Sequence, residues 1–188
     1  MTKLYPGVGA CGLDCILCPR YYTEGKSKCN GCGSEYSYAA VGCKIFRCCV
    51  KERNLETCAE CNDFPCSKFE AIDESDSFLT HKKIMPNLKF IKEHGIKEFL
   101  NEQEKRRKLL EQMLEQFNEG RSRSLYCVAA ALLSVEAVKK SLDLANNKIK
   151  EKGVKDNDLK NKAKILKETL NEIALKECVD LKLRSLKS

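Results

Sequence analysis

Residues 11–32 read CGLDCILCPRYYTEGKSKCNGC, and residues 58–66 read CAECNDFPC. Three cysteine pairs in these stretches share one spacing: Cys15-Ile-Leu-Cys18, Cys29-Asn-Gly-Cys32 and Cys58-Ala-Glu-Cys61. A tight turn at that spacing points both sulfurs to one side, so two thiolates can grip one metal ion. With Cys11, Cys43, Cys48, Cys49 and Cys66 they put eleven of the 13 cysteines in the first 66 residues. Around them Gly7, Gly9, Gly12, Gly25, Gly31, Gly33 and Gly42 break any long helical period. Such a segment predicts little apolar core of its own, with metal crosslinks in its place. One short helix is predicted over residues 45–53.

Outward from this stretch the pattern turns helical. The acidic run Asp73-Glu74-Ser75-Asp76 reads as a linker or a helix entry, and beyond it cysteine almost vanishes. A helix is predicted over 79–94, closed by Gly95. A second, over 97–118, carries Phe99, Leu100, Leu109, Leu110, Met113, Leu114 and Phe117 at helical spacing and stops before Gly120. A short apolar helix over 125–133 follows. Ser134 is placed to cap the next one, to about residue 150, and Lys152-Gly153 marks a break. Asn157 or Asp158 opens a last helix to about residue 186, with Leu159, Leu166, Leu170, Ile173 and Val179 on one face. The fold class is mainly α. A small irregular cysteine-rich metal-binding module, residues 1–72, is followed by a helical bundle, residues 73–188.

Composition bounds the function. The chain has 188 residues, 43% hydrophobic and 32% charged, which fits a globular protein rather than a disordered one. The N-terminus shows no apolar run behind a positive region, so no signal peptide is read there. The longest strongly apolar stretch, 125–133, is far short of the ~20 residues of a membrane helix. A cytoplasmic protein with no membrane association is expected. In a reducing cytosol CxxC pairs point to metal or redox chemistry, and an odd count of 13 does not fit a fully paired disulfide scaffold. Residues 1–70 carry nine Lys/Arg and eight Asp/Glu, so about six of the seven net positive charges lie in the helical part. That charge reads as solvated helix faces, able to attract an anionic partner.

Zinc takes four soft ligands in a tetrahedron at ~2.3 Å, and CxxC turns supply them two at a time. The simplest partition has two four-cysteine sites. One uses Cys15, Cys18, Cys29 and Cys32. The other draws on Cys43 or Cys48 with Cys58, Cys61 and Cys66. Cys11, Cys49 and the unchosen member of Cys43/Cys48 then complete a third site, bridge two ions or stay free, and interleaved pairing is equally open. Two or three Zn²⁺ ions are the expected cofactors, and iron–sulfur ligation is the rival. Cys58-x₂-Cys61-x₄-Cys66 departs from the usual ferredoxin run. Cys11-x₃-Cys15-x₂-Cys18 matches the cluster spacing of radical S-adenosylmethionine enzymes, but no alternating strand–helix pattern builds their barrel, and Leu17 stands where they usually carry an aromatic residue. Gly7-Val8-Gly9-Ala10-Cys11-Gly12 satisfies G-x-G-x-x-G. Only six residues precede it, so it reads as turn glycines beside a ligand rather than a nucleotide loop.

The run Cys11-Gly12-Leu13-Asp14-Cys15-x-x-Cys18-Pro19-x-Tyr21, then Cys29-x-Gly31-Cys32, Cys43, Cys48 and Cys58-x-x-Cys61-x-x-Phe64-Pro65-Cys66, resembles the DUF3795 family. Its bacterial and archaeal members are described as cysteine-rich and as candidates for zinc binding. The resemblance covers residues 9–70, and 90–95 and 120–127 also look like longer members. It implies ten ligands: Cys11, Cys15, Cys18, Cys29, Cys32, Cys43, Cys48, Cys58, Cys61 and Cys66. Cys49 departs from the pattern. The family brings no reaction with it.

Outside the cysteine region, Arg121, Ser122, Arg123 and Ser124 lead into a helix N-terminus and form a candidate site for a phosphate or sulfate. The plainer reading is a C-cap glycine followed by an N-cap serine. Cys127 reads as a small buried hydrophobe, with a reactive thiol beside Arg121 or Arg123 as the alternative. Cys178 reads as inert. His81 and His94, the only histidines, can replace a cysteine as ligand, but both fall in segments predicted helical. No Ser/His/Asp set, P-loop or HExxH motif is present, so the sequence names no catalytic residue. Nucleic-acid binding is not favoured: acidic residues dilute the basic ones, and no basic-helix pattern appears. Two readings result. One is a structural zinc protein that binds a partner protein or small anionic ligand. The other is an iron–sulfur or thiol redox protein.

Overall fold

The computed structural model describes residues 3–35, 37, 42–70, 72 and 74–185. The described residues form helices and turns without a strand, apart from an isolated bridge between Val8 and Asp14. Six α-helices are present among them: α1 Lys44–Phe46, α2 Ile84–His94, α3 Ile96–Phe117, α4 Arg123–Leu132, α5 Val135–Glu151 and α6 Leu159–Lys176. They fall into two compact units. The first is Met1–Gln103 with Leu183–Ser188, and the second is Glu104–Lys182.

In the first unit the cysteine-rich segment has more core than its sequence predicts. Val8, Ala10, Phe46, Phe64 and Phe69 bury with Cys32, Cys49 and Cys58, and α2 closes the cluster with Ile84, Leu88 and Ile91. The apolar residues come from segments far apart in the chain, so no periodicity announces them. Helix α2 docks on the turn at Gly12. Gly12 has φ +85°, and a Cβ there would stand 2.7 Å from Leu88 Cγ and 2.9 Å from the Ile84 carbonyl. Asn87, buried, donates from Nδ2 to the Gly12 carbonyl at 2.9 Å and to Asp14 Oδ2 at 3.1 Å.

Three predicted helix boundaries move, each for a local reason. Helix α2 begins at Ile84 rather than residue 79. The Asp76 carboxylate accepts the His81 backbone N–H at 2.7 Å, and Ser77 N–H donates to the Leu79 carbonyl, so these groups are spent outside a helix. The predicted 45–53 helix is the short α1 followed by a π turn over Arg47–Glu52, closed by Arg53 N–H on the Cys48 carbonyl at 3.1 Å. Helix α6 ends at Lys176, ten residues early. Cys178 takes φ +55°, and the Cys178 and Val179 N–H groups return to the carbonyls of Leu175 and Ala174. That is a Schellman closure with cysteine where glycine is usual. Residue 186 of the predicted helix, and Asp73 of the acidic run, lie outside the described residues.

In the second unit the predicted caps appear in place. Ser134 accepts the Ala137 N–H at 3.1 Å to open α5, and Gly153 closes it at φ +61°. Asp158 accepts the Asn161 N–H at 3.1 Å to open α6. Arg106 Nη1 donates to the carbonyls of Ala130 and Leu133, satisfying the C-terminal end of α4. Helices α5 and α6 pack along each other. Leu110, Met113, Phe117, Tyr126, Leu166 and Leu170 are fully buried. Burying each such side chain contributes roughly 1.5–3 kcal/mol. No helix among the described residues is long and apolar enough to cross a membrane.

Candidate metal site

The three CxxC pairs do not use one turn. Cys15–Leu17 and Cys58–Glu60 are single 3-10 turns, closed by Cys18 N–H on the Cys15 carbonyl and Cys61 N–H on the Cys58 carbonyl, both at 3.1 Å. A capping box between Thr57 and Glu60 opens the second, with Thr57 N–H on Glu60 Oε1 at 2.9 Å. The Cys29–Cys32 turn runs through Gly31 at φ +100°, and Cys32 N–H donates to the Pro6 carbonyl at 2.7 Å. A Cβ on Gly31 would stand 2.1 Å from that carbonyl oxygen, so only glycine permits the approach. The turns are joined through the chain before Cys11: Ala10 N–H donates to Cys32 Sγ at 3.4 Å, and Cys58 N–H to the Ala10 carbonyl at 2.8 Å. Phe46 N–H donates to Cys43 Sγ at 3.4 Å.

These turns divide the eleven N-terminal cysteines between two cavities. Cys11, Cys15, Cys18, Cys29, Cys32 and Cys43 line one of about 360 Å³. Cys48, Cys49, Cys58, Cys61 and Cys66 line one of about 200 Å³. Cys15, Cys18, Cys29 and Cys32, grouped by the simplest partition, share the larger cavity, and Cys11 and Cys43 join them. Cys48 rather than Cys43 falls with Cys58, Cys61 and Cys66, and the π turn brings Cys49 to the same wall. No cysteine is in a disulfide.

The donors fit a soft metal: sulfur throughout, mostly half-buried or buried, with backbone N–H groups aimed at two of them. The arrangement is more open than one ion requires. Among the described residues, no three His, Cys, Asp or Glu side chains are gathered closely enough to hold a single metal ion. The sulfurs line walls rather than meet at a point.

Electrostatics follow from burial. Burial pushes the Cys11 thiol up to about 12 and the Cys32 thiol up to about 11, and raises Cys15 well above its ordinary value. Neighbouring sulfurs add to this: Cys32 and Cys43 act on Cys11, and Cys32, Cys11 and Cys18 on Cys15. Protons therefore hold these sulfurs at neutral pH unless a cation displaces them, as a coordinated metal does. In the smaller cavity a hydrogen bond between Cys49 and Cys58 lowers the first and raises the second.

Two cations that no motif signals stand beside the sulfurs. Arg53 Nη1 lies 3.0 Å from Cys61 Sγ and 2.6 Å from Asp63 Oδ2, a charge-assisted contact on a thiol of the smaller cavity. Lys3, its side chain wholly buried, pairs with Glu56 Oε1 at 3.0 Å. Its field opposes the effect of burial at Cys32, so it favours a thiolate there. Both contacts join residues distant in sequence or held by irregular turns, which spacing rules do not reach.

The remaining candidates separate. His81 lies outside α2 and borders the larger cavity, with Nδ1 3.0 Å from the Ile72 carbonyl and Nε2 3.0 Å from Ser77 Oγ. His94 stacks on Phe90, ring centroids 4.4 Å apart. Cys127 is fully buried in α4, and Cys178 is exposed. At the Arg121–Ser124 turn, Ser122 is fully buried and its hydroxyl donates to the Glu119 carboxylate, which also meets Lys167 Nζ at 2.8 Å. A phosphate there would have to displace the chain's own carboxylate.

Residues 7–71 match the model of the family described as "Protein of unknown function (DUF3795)", the family that the cysteine motifs resemble. No curated protein and no solved structure matches the chain.

Proposed function

We propose that this chain is a metal-binding protein in which cysteine thiolates hold two centres, one in each cavity. Cys11, Cys15, Cys18, Cys29, Cys32 and Cys43 serve the larger centre. Cys48, Cys58, Cys61 and Cys66, with Cys49 beside them, serve the smaller. The observation that carries this reading is the division of all eleven N-terminal cysteines into a set of six and a set of five, each around its own cavity. Zn²⁺ is the ion proposed for the smaller centre. Four thiolates overcompensate its charge, and the Arg53 guanidinium on Cys61 offsets part of the excess. Bound metal would draw the sulfurs in from the cavity walls, coupling binding to the final folding of the segment.

The role is structural: the metals fix the cysteine-rich region, and the helical part, with its positive balance, is the surface offered to a partner protein or small anionic ligand. A reducing compartment such as the cytoplasm keeps the thiols available for metal. Elemental analysis of anaerobically purified protein, paired with thiol counting before and after denaturation, tests the reading. At least two metal ions per chain, with most of the eleven N-terminal thiols protected until the chain is denatured, are expected. Metal-free protein with those thiols freely reactive overturns it.

A further inference from the structure

The sulfurs of neither cavity meet at one point, but the larger cavity exceeds what a single ion uses in volume and in thiol count as well. Its volume is about 360 Å³, whereas the share of one water in the liquid is about 30 Å³. A tetrahedral zinc leaves no such space: at ~2.3 Å from each sulfur, the four sulfurs lie only ~3.8 Å from one another. Six thiols surround the cavity, two more than a tetrahedron takes. No three of them are gathered on one point. Separated sulfurs around a shared volume are what a polynuclear centre requires, because its ligands bind different metal atoms across the body of the cluster.

The surroundings agree. Leu13, Ile45, Ile72 and Ile84 give the cavity apolar walls, and Arg20, with its guanidinium 4.3 Å from the centroid of the Phe78 ring, stands at its border. An apolar shell with hydrogen bonds to the sulfurs is the kind of environment that tunes such a centre. Ala10 N–H on Cys32 Sγ and Phe46 N–H on Cys43 Sγ supply those hydrogen bonds, both within this set of six. Cys11, Cys15 and Cys18 come from one run of eight residues, and the remaining thiols come from two separate segments. Three segments thus line the space.

We infer that the larger cavity houses an iron–sulfur cluster, carried by four of its six cysteines, with Cys32, the acceptor of the Ala10 N–H, among the four. This inference rests on the proposed metal binding and names the cofactor class of one of its two centres. The two thiols beyond the four are neighbours available for exchange or for shielding the cluster.

The full-length chain, purified anaerobically and reconstituted with ferrous iron and sulfide, provides the test. Iron and acid-labile sulfide in equal amounts are expected, about two to four of each per chain, with broad visible absorption that bleaches on reduction by dithionite. Cys32→Ser is expected to lose this absorption, and Cys61→Ser, in the other cavity, to keep it. Far-UV circular dichroism of both variants checks that the helices remain. Should Cys32→Ser lose its helices, Cys18→Ser paired with Cys29→Ser serves as a second lesion of the same cavity, and the wild-type iron and sulfide content still decides. Zinc bound at both centres, with no iron or sulfide retained after reconstitution, overturns the cluster and leaves metal binding intact. Absorption lost in Cys61→Ser and kept in Cys32→Ser overturns its location. Protein that takes up no metal of any kind overturns both the cluster and the proposed function.

Discussion

The unit Glu104–Lys182 buries Leu110, Met113, Phe117, Leu166 and Leu170 between helices of ten residues or more, each opened or closed by a side chain or a left-handed turn. The cysteine-rich segment buries Cys32, Cys49 and Cys58 beside Phe46, Phe64 and Phe69, in turns of three to six residues. In the first case apolar area and caps carry the unit. In the second, sulfurs occupy positions that a self-sufficient core would give to leucine or isoleucine. They surround cavities in which protein atoms are missing. The difference teaches where an external ligand enters the energetics: stability of the helical unit is written in its side chains, whereas that of the cysteine-rich segment is completed by what the thiols bind.

The largest effect that can break this comparison is metal removal. Thiolate-bound structural metal contributes on the order of 10 kcal/mol to small metal-dependent domains. Chelation is expected to abolish hydrogen-exchange protection at amides of the cysteine-rich segment, such as those of Cys32 and Cys58, and to leave the amides of α5 and α6 protected. Equal protection in both units after chelation would show that the segment stands on its apolar cluster alone.

The converse lesion is Leu166→Ala. Leu166 is fully buried in α6, and truncation leaves a cavity costing about 3 kcal/mol. Denaturant unfolding of the second unit is expected to shift to lower midpoint with metal content unchanged. A drop in metal content would mean that the two units do not hold their stability separately.

Asn87→Ala acts inside the first unit, where the helix meets the metal turns. It strips the amide donor from the Gly12 carbonyl and from Asp14 Oδ2, both close to Cys11 and Cys15. The cost is about 2 kcal/mol, because buried acceptors are left without their partner. A faster loss of metal to a competing chelator is the expected readout. An unchanged rate would make α2 a cover over the segment rather than a support for it.

The helical unit was largely legible in advance, for a physical reason: its signals are local. Ser134, Asp158 and Gly153 act within four residues of themselves, and the apolar positions repeat along one chain segment. Where a boundary was missed, the deciding group was either tertiary or unusual. Cys178 closes α6 in a conformation normally given to glycine, and Asp76 takes the His81 N–H that a longer α2 would have used. In the cysteine-rich segment the CxxC spacing made thiol pairs legible but not their grouping. The assignment of Cys43 to one cavity and Cys48 to the other depends on a π turn that no sequence pattern announces. Arg53 and Lys3 were illegible for the same reason: each is positioned through irregular turns, not by a period.

The smallest effect probes a tether within the first unit that uses neither metal nor apolar core. Asp76, its side chain wholly buried, pairs with Arg184 Nη2 at 2.8 Å and accepts the Arg184 and His81 backbone N–H groups at 2.7 Å. Burial alone would raise the Asp76 pKa, but these bonds outweigh it and bring the group to about 2, against an ordinary 3.8. A carboxyl whose folded pKa is depressed stabilises the fold fully above its unfolded value. That contribution fades as pH falls from 3.8 and is gone below about 2. Arg184 is partly exposed, so solvent screening holds the effect to about 1 kcal/mol. Thiolate centres also lose metal in acid, so the readout must be local: exchange at the Arg184 and His81 amides, compared between the natural chain and Asp76→Asn. In the natural chain protection at these amides is expected to weaken as pH drops through this window, and in the variant to start weaker and vary less. The same acid response in both chains would assign the loosening to the metal centres, and the first unit would then have no stabilising device independent of its cysteines at that edge.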